Sequence, residues 1–170
     1  KKESQGLCFF PESTPENFLK RHLPENLFKH GPIFTLDGRK IGIHKGLPLY
    51  TIGQRHGLGI GGVKGEIEGE GWYVVNIDRK KNMLIVGRKK DIFRNELACK
   101  NLHFISDKTP KKKISIQVKI RHRGQPVPAK LVINKGKGVV TASSPLSAVS
   151  GGQAAVFYKG SRVLGGGIIQ

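Results

Sequence analysis

The sequence predicts a mainly β protein, with a small α+β unit followed by a C-terminal barrel or sandwich of short strands. Three observations carry this. Only one stretch, close to the N-terminus, has the start signals of a helix. From Ile33 onward, short runs rich in β-branched and aromatic residues recur between Gly, Pro, Asn and Ser breaks. The run ISIQVKIRHRG alternates cleanly. Ile114, Ile116, Val118 and Ile120 face one way, while Ser115, Gln117, Lys119, Arg121 and Arg123 have the opposite parity.

In order along the chain, Ser13-Thr14-Pro15-Glu16 reads as a helix start. Ser13 can cap, Glu16 falls three residues later, and Pro15 suits the first turn. The helix should run to about Leu23, with Phe18, Leu19 and Leu23 on one face, before Pro24 and Gly31-Pro32 interrupt it. IFTLDGRKIGIH predicts a hairpin about Asp37-Gly38, and LPLYTIG a further strand. WYVVNID and MLIVG should pair across Arg79–Asn82. KKDIFRNELACKNLHFI breaks the pattern, which places a domain junction near Arg88–Phe93. AKLVIN, GVVTAS, QAAVFYKG and SRVLGGGII continue the strands of the second half, which has no convincing helix.

Charge narrows the function. Lys and Arg total 30 against 12 Asp and Glu, a net of +18, and the last carboxylate is Asp107. Residues 108–170 hold 12 basic and no acidic residues, a charge of +12, which leaves +6 for residues 1–107. Such an excess opposes compaction, and a polyanionic partner explains it: nucleic acid first, an anionic membrane surface second. No apolar run spans a bilayer and no signal-peptide pattern is present. Cys8 and Cys99 form no CxxC pair, so a reducing cytoplasm is expected, with no membrane association and a monomeric state.

Each candidate motif also has a plainer reading. Gly57, Gly59 and Gly62 spell G-x-G-x-x-G, but no helix signal follows to aim amides at a phosphate. Ser150-Gly151-Gly152 and Gly165-Gly166-Gly167 fail the same test. The six histidines make no zinc spacing with a cysteine, so no metal is expected. In YTIGQRHGLGIG, Gln54, Arg55 and His56 could contact a phosphate or a neighbouring domain; a loop whose polar groups tie down its own backbone is an equal alternative. Arg121, His122 and Arg123 stand where a strand runs out into Gly124. Guanidinium groups suit phosphate and imidazole can stack on a base, against the plainer reading of a solvated basic face. Cys8, beside Phe9 and Phe10, reads by itself as packing rather than chemistry. Cys99 reads as a buried structural thiol.

KESQGLCFF, GPIFTLDGRKIGIHKGLPLYTIGQRHGLGI, WYVVNID, VKIRHRGQPVPAKL and SAVSGGQAAVFYKGSRVLGGGII, taken in register, resemble the bacterial tRNA-specific 2-thiouridylases over nearly the whole chain. The resemblance implies a three-part parent enzyme that thiolates the wobble uridine of tRNA. Its ATP-pyrophosphatase domain, with the SGGxDS loop and a first catalytic cysteine, has no counterpart in this sequence. Residues 1–13 would be the tail of that domain, 14–88 a central domain, and 92–170 a tRNA-binding β-barrel like those of translation factors. By the same resemblance Cys8 is a catalytic cysteine that carries a persulfide. ATP adenylates the uridine C2 oxygen, the persulfide sulfur replaces it, and the two cysteines end as a disulfide. Arg121, His122 and Gln153 match tRNA contacts, with His122 standing where the family usually has Tyr. tRNA and a sulfur-carrier protein are the implied partners. ATP is the implied cofactor of the parent and none is expected in this chain, which should not turn over alone. A non-catalytic RNA-binding β-barrel module is the alternative.

Overall fold

The computed structural model describes residues 15–61, 71–106, 113–122 and 124–170. Helix α1, Pro15–His22, carries Glu16 in its first turn and Lys20, Arg21 and His22 in its last, as the helix dipole favours. Lys20 and Glu16 pair at 2.7 Å one turn apart, an exposed contact that adds little stability. The predicted cap at Ser13 lies outside the described residues.

Strands β1 (Gly31–Thr35) and β2 (Lys40–His44) form the expected antiparallel hairpin. Gly38 takes the left-handed backbone (φ 84°) that its turn requires. The Thr35 hydroxyl closes that turn, donating to the Arg39 carbonyl and accepting its N–H, both at 3.1 Å. Strands β3 (Tyr73–Asp78) and β4 (Met83–Gly87) form a second hairpin. β1 lies parallel to β4, so the sheet order is β2-β1-β4-β3. Ile33, Trp72, Val74, Leu84 and Val86 are buried on it together with Tyr50, Leu58 and Ile60 from the intervening loop.

The strand expected over LPLYTIG does not form. Leu47–Leu49 is instead a 3-10 helix. Gly46 enters it at φ 120°, Pro48 lacks the N–H a ladder needs, and the Tyr50 N–H turns back to the Leu47 carbonyl. His44 anchors this turn. It is fully buried, accepts the Gly46 N–H at Nδ1 (3.1 Å), and so donates from Nε2 to the Asn82 carbonyl (3.0 Å). Burial pushes its pKa below the usual imidazole value, which keeps the ring neutral for this arrangement.

A 3-10 helix, Lys89–Ile92, leads into the second unit. Six strands then close into a barrel: β5 (Phe93–Phe104), β6 (Lys113–Lys119), β7 (Val127–Asn134), β8 (Lys137–Ser147), β9 (Ala154–Lys159) and β10 (Arg162–Ile169). Their order is β10-β5-β8-β7-β6-β9, antiparallel throughout. The fold is therefore mainly β, with a small mixed sheet and a closed barrel. The alternation read in β6 holds, with Ile116 and Val118 buried and Ile114 and Ile120 packed at the margin of the same core. Lys135 and Gly136, both at positive φ, make the two-residue turn between β7 and β8. β5 is a departure. At 12 residues it is the longest strand among the described residues, in a segment where the sequence pattern predicts only a domain junction.

Candidate nucleic-acid interface

β6 delivers Arg121 and His122 to one end of the barrel. Val118 anchors the strand in the core, the chain leaves the sheet after Lys119, and the Gly124 N–H closes a turn onto the Arg121 carbonyl at 3.1 Å. Both side chains are exposed. The Arg121 Nη2 donates to the Ala148 carbonyl at 3.4 Å, which holds the guanidinium at the barrel rim. Arg123 lies outside the described residues.

Gln153 is at the same end. β6 pairs antiparallel with β9 through Lys119↔Val156, so the end at which β6 runs out toward Arg121 and His122 is the end from which β9 starts, just after Gln153. Gln153 is exposed, and its backbone is fixed from both sides: its carbonyl accepts the Ile169 N–H (2.8 Å) and its N–H donates to the Ser150 carbonyl (3.4 Å).

The loop after the 3-10 helix reaches this end from the sheet. The Gly53 N–H donates to the Val74 carbonyl (2.7 Å) and the Val74 N–H to the Gln54 carbonyl (2.9 Å), so the loop extends the β3 edge. Gln54 is consumed by the loop. Its Oε1 accepts the Thr51 N–H (3.1 Å) and its Nε2 donates to the His56 carbonyl (2.9 Å). For Gln54 the backbone-tying alternative is the better account. Arg55 and His56 are exposed, with the Arg55 guanidinium 5.9 Å from the Tyr73 ring centre. Gly53 lies against Ala148 and beside the Arg121 guanidinium.

The structure thus gathers Arg121, His122, Gln153 and the loop carrying Arg55 and His56 about one end of the barrel. Cys8 lies outside the described residues. Two residues at the centre of this arrangement, Gly53 and Ala148, carried no signal in the sequence. A third, Arg88, stacks on Trp72 at 3.8 Å where the sheet hands over to the barrel. Asp91 fixes the same corner, accepting the Arg88 N–H at 2.7 Å.

The described glycine-rich residues lie in strands, turns and loops. Gly165–Gly167 lie inside β10, residues 150–152 form the turn into β9, and Gly57 and Gly59 sit in a loop. Among the described residues none of these leads into an α-helix. Among the described residues no group of three or more His, Cys, Asp or Glu is placed to hold a metal, and no helix is long and apolar enough to cross a membrane.

Cys99 is fully buried in the barrel core, and desolvation pushes its thiol up to about 11. At pH 8 its thiolate fraction alone should slow alkylation by about two orders of magnitude relative to a free cysteine. Timed iodoacetamide labelling read by mass spectrometry should show Cys99 modified only in denaturant. Rapid labelling of the native protein would mean the barrel opens at β5.

Residues 16–88 match a family described as the tRNA methyl transferase PRC-barrel domain, and residues 94–169 one described as the aminomethyltransferase β-barrel domain. Over 170 residues the chain is 45% identical to the tRNA-specific 2-thiouridylase of Chloroflexus aggregans, covering 99% of this chain and 45% of that protein. The corresponding enzymes of Photorhabdus laumondii and Idiomarina loihiensis are 42% and 40% identical over 174 residues, each covering 100% of this chain and 46% of the relative. The chain therefore spans less than half the length of these relatives.

Proposed function

The chain belongs to the tRNA-specific 2-thiouridylase family, and from that membership we propose that it supplies the tRNA-holding surface and the sulfur-carrying cysteine of an enzyme that thiolates the wobble uridine. The barrel end with Arg121, His122 and Gln153 holds the tRNA. Cys8 receives sulfur from a carrier protein as a persulfide and passes it on. Activation of the uridine by ATP belongs to residues other than those of this chain, and the setting is the cytoplasm.

One observation carries the tRNA half of this reading. The adjacent Arg121 and His122 and the distant Gln153 come to one end of a barrel whose chain has no carboxylate side chain after Asp107. A polyanion approaching there meets guanidinium, imidazole and amide groups with no acidic side chain from residues 108–170 to repel it. His122 supplies a stacking surface for an unpaired base, without the hydroxyl a tyrosine would add.

The test is tRNA binding by the 170-residue chain at several salt concentrations. If about four phosphates are neutralised, doubling the salt should weaken binding on the order of sevenfold to twelvefold. Arg121→Ala should flatten that dependence by about one phosphate's worth. Gln153→Ala should weaken binding with the salt slope unchanged, since it removes no charge. Salt-insensitive binding, or two silent variants, would remove the barrel end as the tRNA surface.

A further inference from the structure

Ala148 joins three parts of the molecule through one residue. Its N–H donates to the Ile92 carbonyl of the connecting 3-10 helix at 2.8 Å. Its carbonyl accepts from Arg121. Its methyl group, 2% exposed, is packed with Val75 and Ile92 in a small core between sheet and barrel, and it meets the bare backbone of Gly53. To make all three contacts Ala148 adopts φ 50°, a left-handed backbone that an alanine does not choose unaided. Gly53 is left-handed too, at φ 86°, and a Cβ built on it would overlap the Ala148 Cβ. Neither atom is the far end of a flexible chain, so a side chain at 53 can be accommodated only by shifting the backbone at 53 or at 148 out of this contact.

We propose that Gly53 and Ala148 form a lock between the sheet and the barrel, and that Gly53 is a positioning residue for the Arg121 guanidinium. The missing side chain at 53 lets Ala148 close onto the sheet. That closure holds Arg121 in register with Arg55 and His56, so that one phosphodiester backbone can run across both units. The positioning role rests on the tRNA reading above; the lock does not.

Four variants of the full chain test it: Gly53→Ala, Arg121→Ala, Gly53→Ala with Ala148→Gly, and Gly59→Ala. The last is a strain control, because Gly59 is also left-handed (φ 67°) but has nothing within 4 Å of a built Cβ. The lock is read by the rate of tryptic cleavage after Lys89 and Lys90, which are exposed on the connecting helix. Gly53→Ala should raise that rate about tenfold, Gly59→Ala should leave it unchanged, and Ala148→Gly should restore it in the Gly53→Ala background by returning the lost space. Equal effects at 53 and 59, or no rescue, would overturn the lock, since strain at residue 53 would then explain the result.

Positioning is read by tRNA affinity in a double-mutant cycle with Arg121. Gly53→Ala should weaken binding about as much as Arg121→Ala, and should cost nothing further once Arg121 is gone. Additive losses would overturn the positioning role while leaving a lock supported by the cleavage rates. Absence of salt-dependent tRNA binding in the unmutated chain would overturn the tRNA reading and the positioning role together, again leaving cleavage to decide the lock.

Discussion

Phe157→Ala is expected to cost about 3–5 kcal/mol, the upper range for a core truncation. Phe157 is the largest fully buried side chain in the structure. It sits in mid-β9, paired across one side with Val118 of β6 and across the other with Gly165 of β10. Its ring lies 6.2 Å from that of Phe104, from β5. Strands on both flanks are hydrogen-bonded into a closed ring, so they cannot slide inward to fill the space, and the cavity term should be close to its full size. Gly165 offers no side chain toward the gap. It cannot take one cheaply either, because at φ 151° a built Cβ would run into the His103 carbonyl. Small domains carry about 5–15 kcal/mol in all, so this single change should consume a large share of the barrel's stability. Urea unfolding followed by circular dichroism measures it through the midpoint at constant slope. A loss below about 1 kcal/mol would mean that the barrel relaxes around the cavity, and that closure constrains it less than the register implies.

The same barrel shows which features a sequence can reveal. β6 was legible because its alternation is unbroken and its turn residues bound it. β5 was not, and Asn101 is the reason. It stands at φ 52°, and the β5–β10 register shifts there, with Lys100 opposite Ile168 and His103 opposite Gly166. One extra residue in β5 reverses the parity. Leu97 and Cys99 point inward before the bulge, Leu102 and Phe104 after it, so an alternation test finds two half-patterns that cancel. LPLYTIG failed in the opposite way. Its apolar run is real and its residues except Thr51 are buried or half-buried, but burial does not specify a strand when Pro48 has no N–H to give.

The candidate site divides along similar lines. Arg121 and His122 could be placed at a strand end from local pattern alone, and an acid-free tail made their basic character stand out. Gln54 could not be resolved until its two side-chain hydrogen bonds into the loop were seen. Gly53 and Ala148 were invisible for a plainer reason. Neither has a side chain with chemistry, and what matters is how near two backbones come across a long stretch of chain. Only a folded structure contains that distance.

Cys8→Ser in a full-length thiouridylase carrying this chain is expected to reduce 2-thiouridine in tRNA by more than about a hundredfold, since a hydroxyl cannot hold a transferable sulfur. The chain has two cysteines, and their chemistry separates them. A persulfide carrier must meet a sulfur donor, lose its proton near neutral pH and then meet the uridine. Cys99 fails each requirement: it is fully buried among barrel side chains, and its thiol is pushed up to about 11 by desolvation alone. Gly167 of β10 crosses close beside it, where a built Cβ would stand 3.0 Å from that of Cys99. Cys8 lies outside the described residues, and its assignment rests on the KESQGLCFF resemblance. If, as proposed above, adenylation of the uridine draws on residues beyond this chain, it should persist in Cys8→Ser. Cys99→Ala should retain thiolation and lose only stability, by about 1 kcal/mol for a small buried apolar group. Mass spectrometry of the wobble nucleoside after reaction with each variant decides the matter. Normal thiolation by the Cys8→Ser enzyme would end the persulfide role. Loss of thiolation in Cys99→Ala with the fold intact would move that role into the barrel and require the core around β5 to open during turnover.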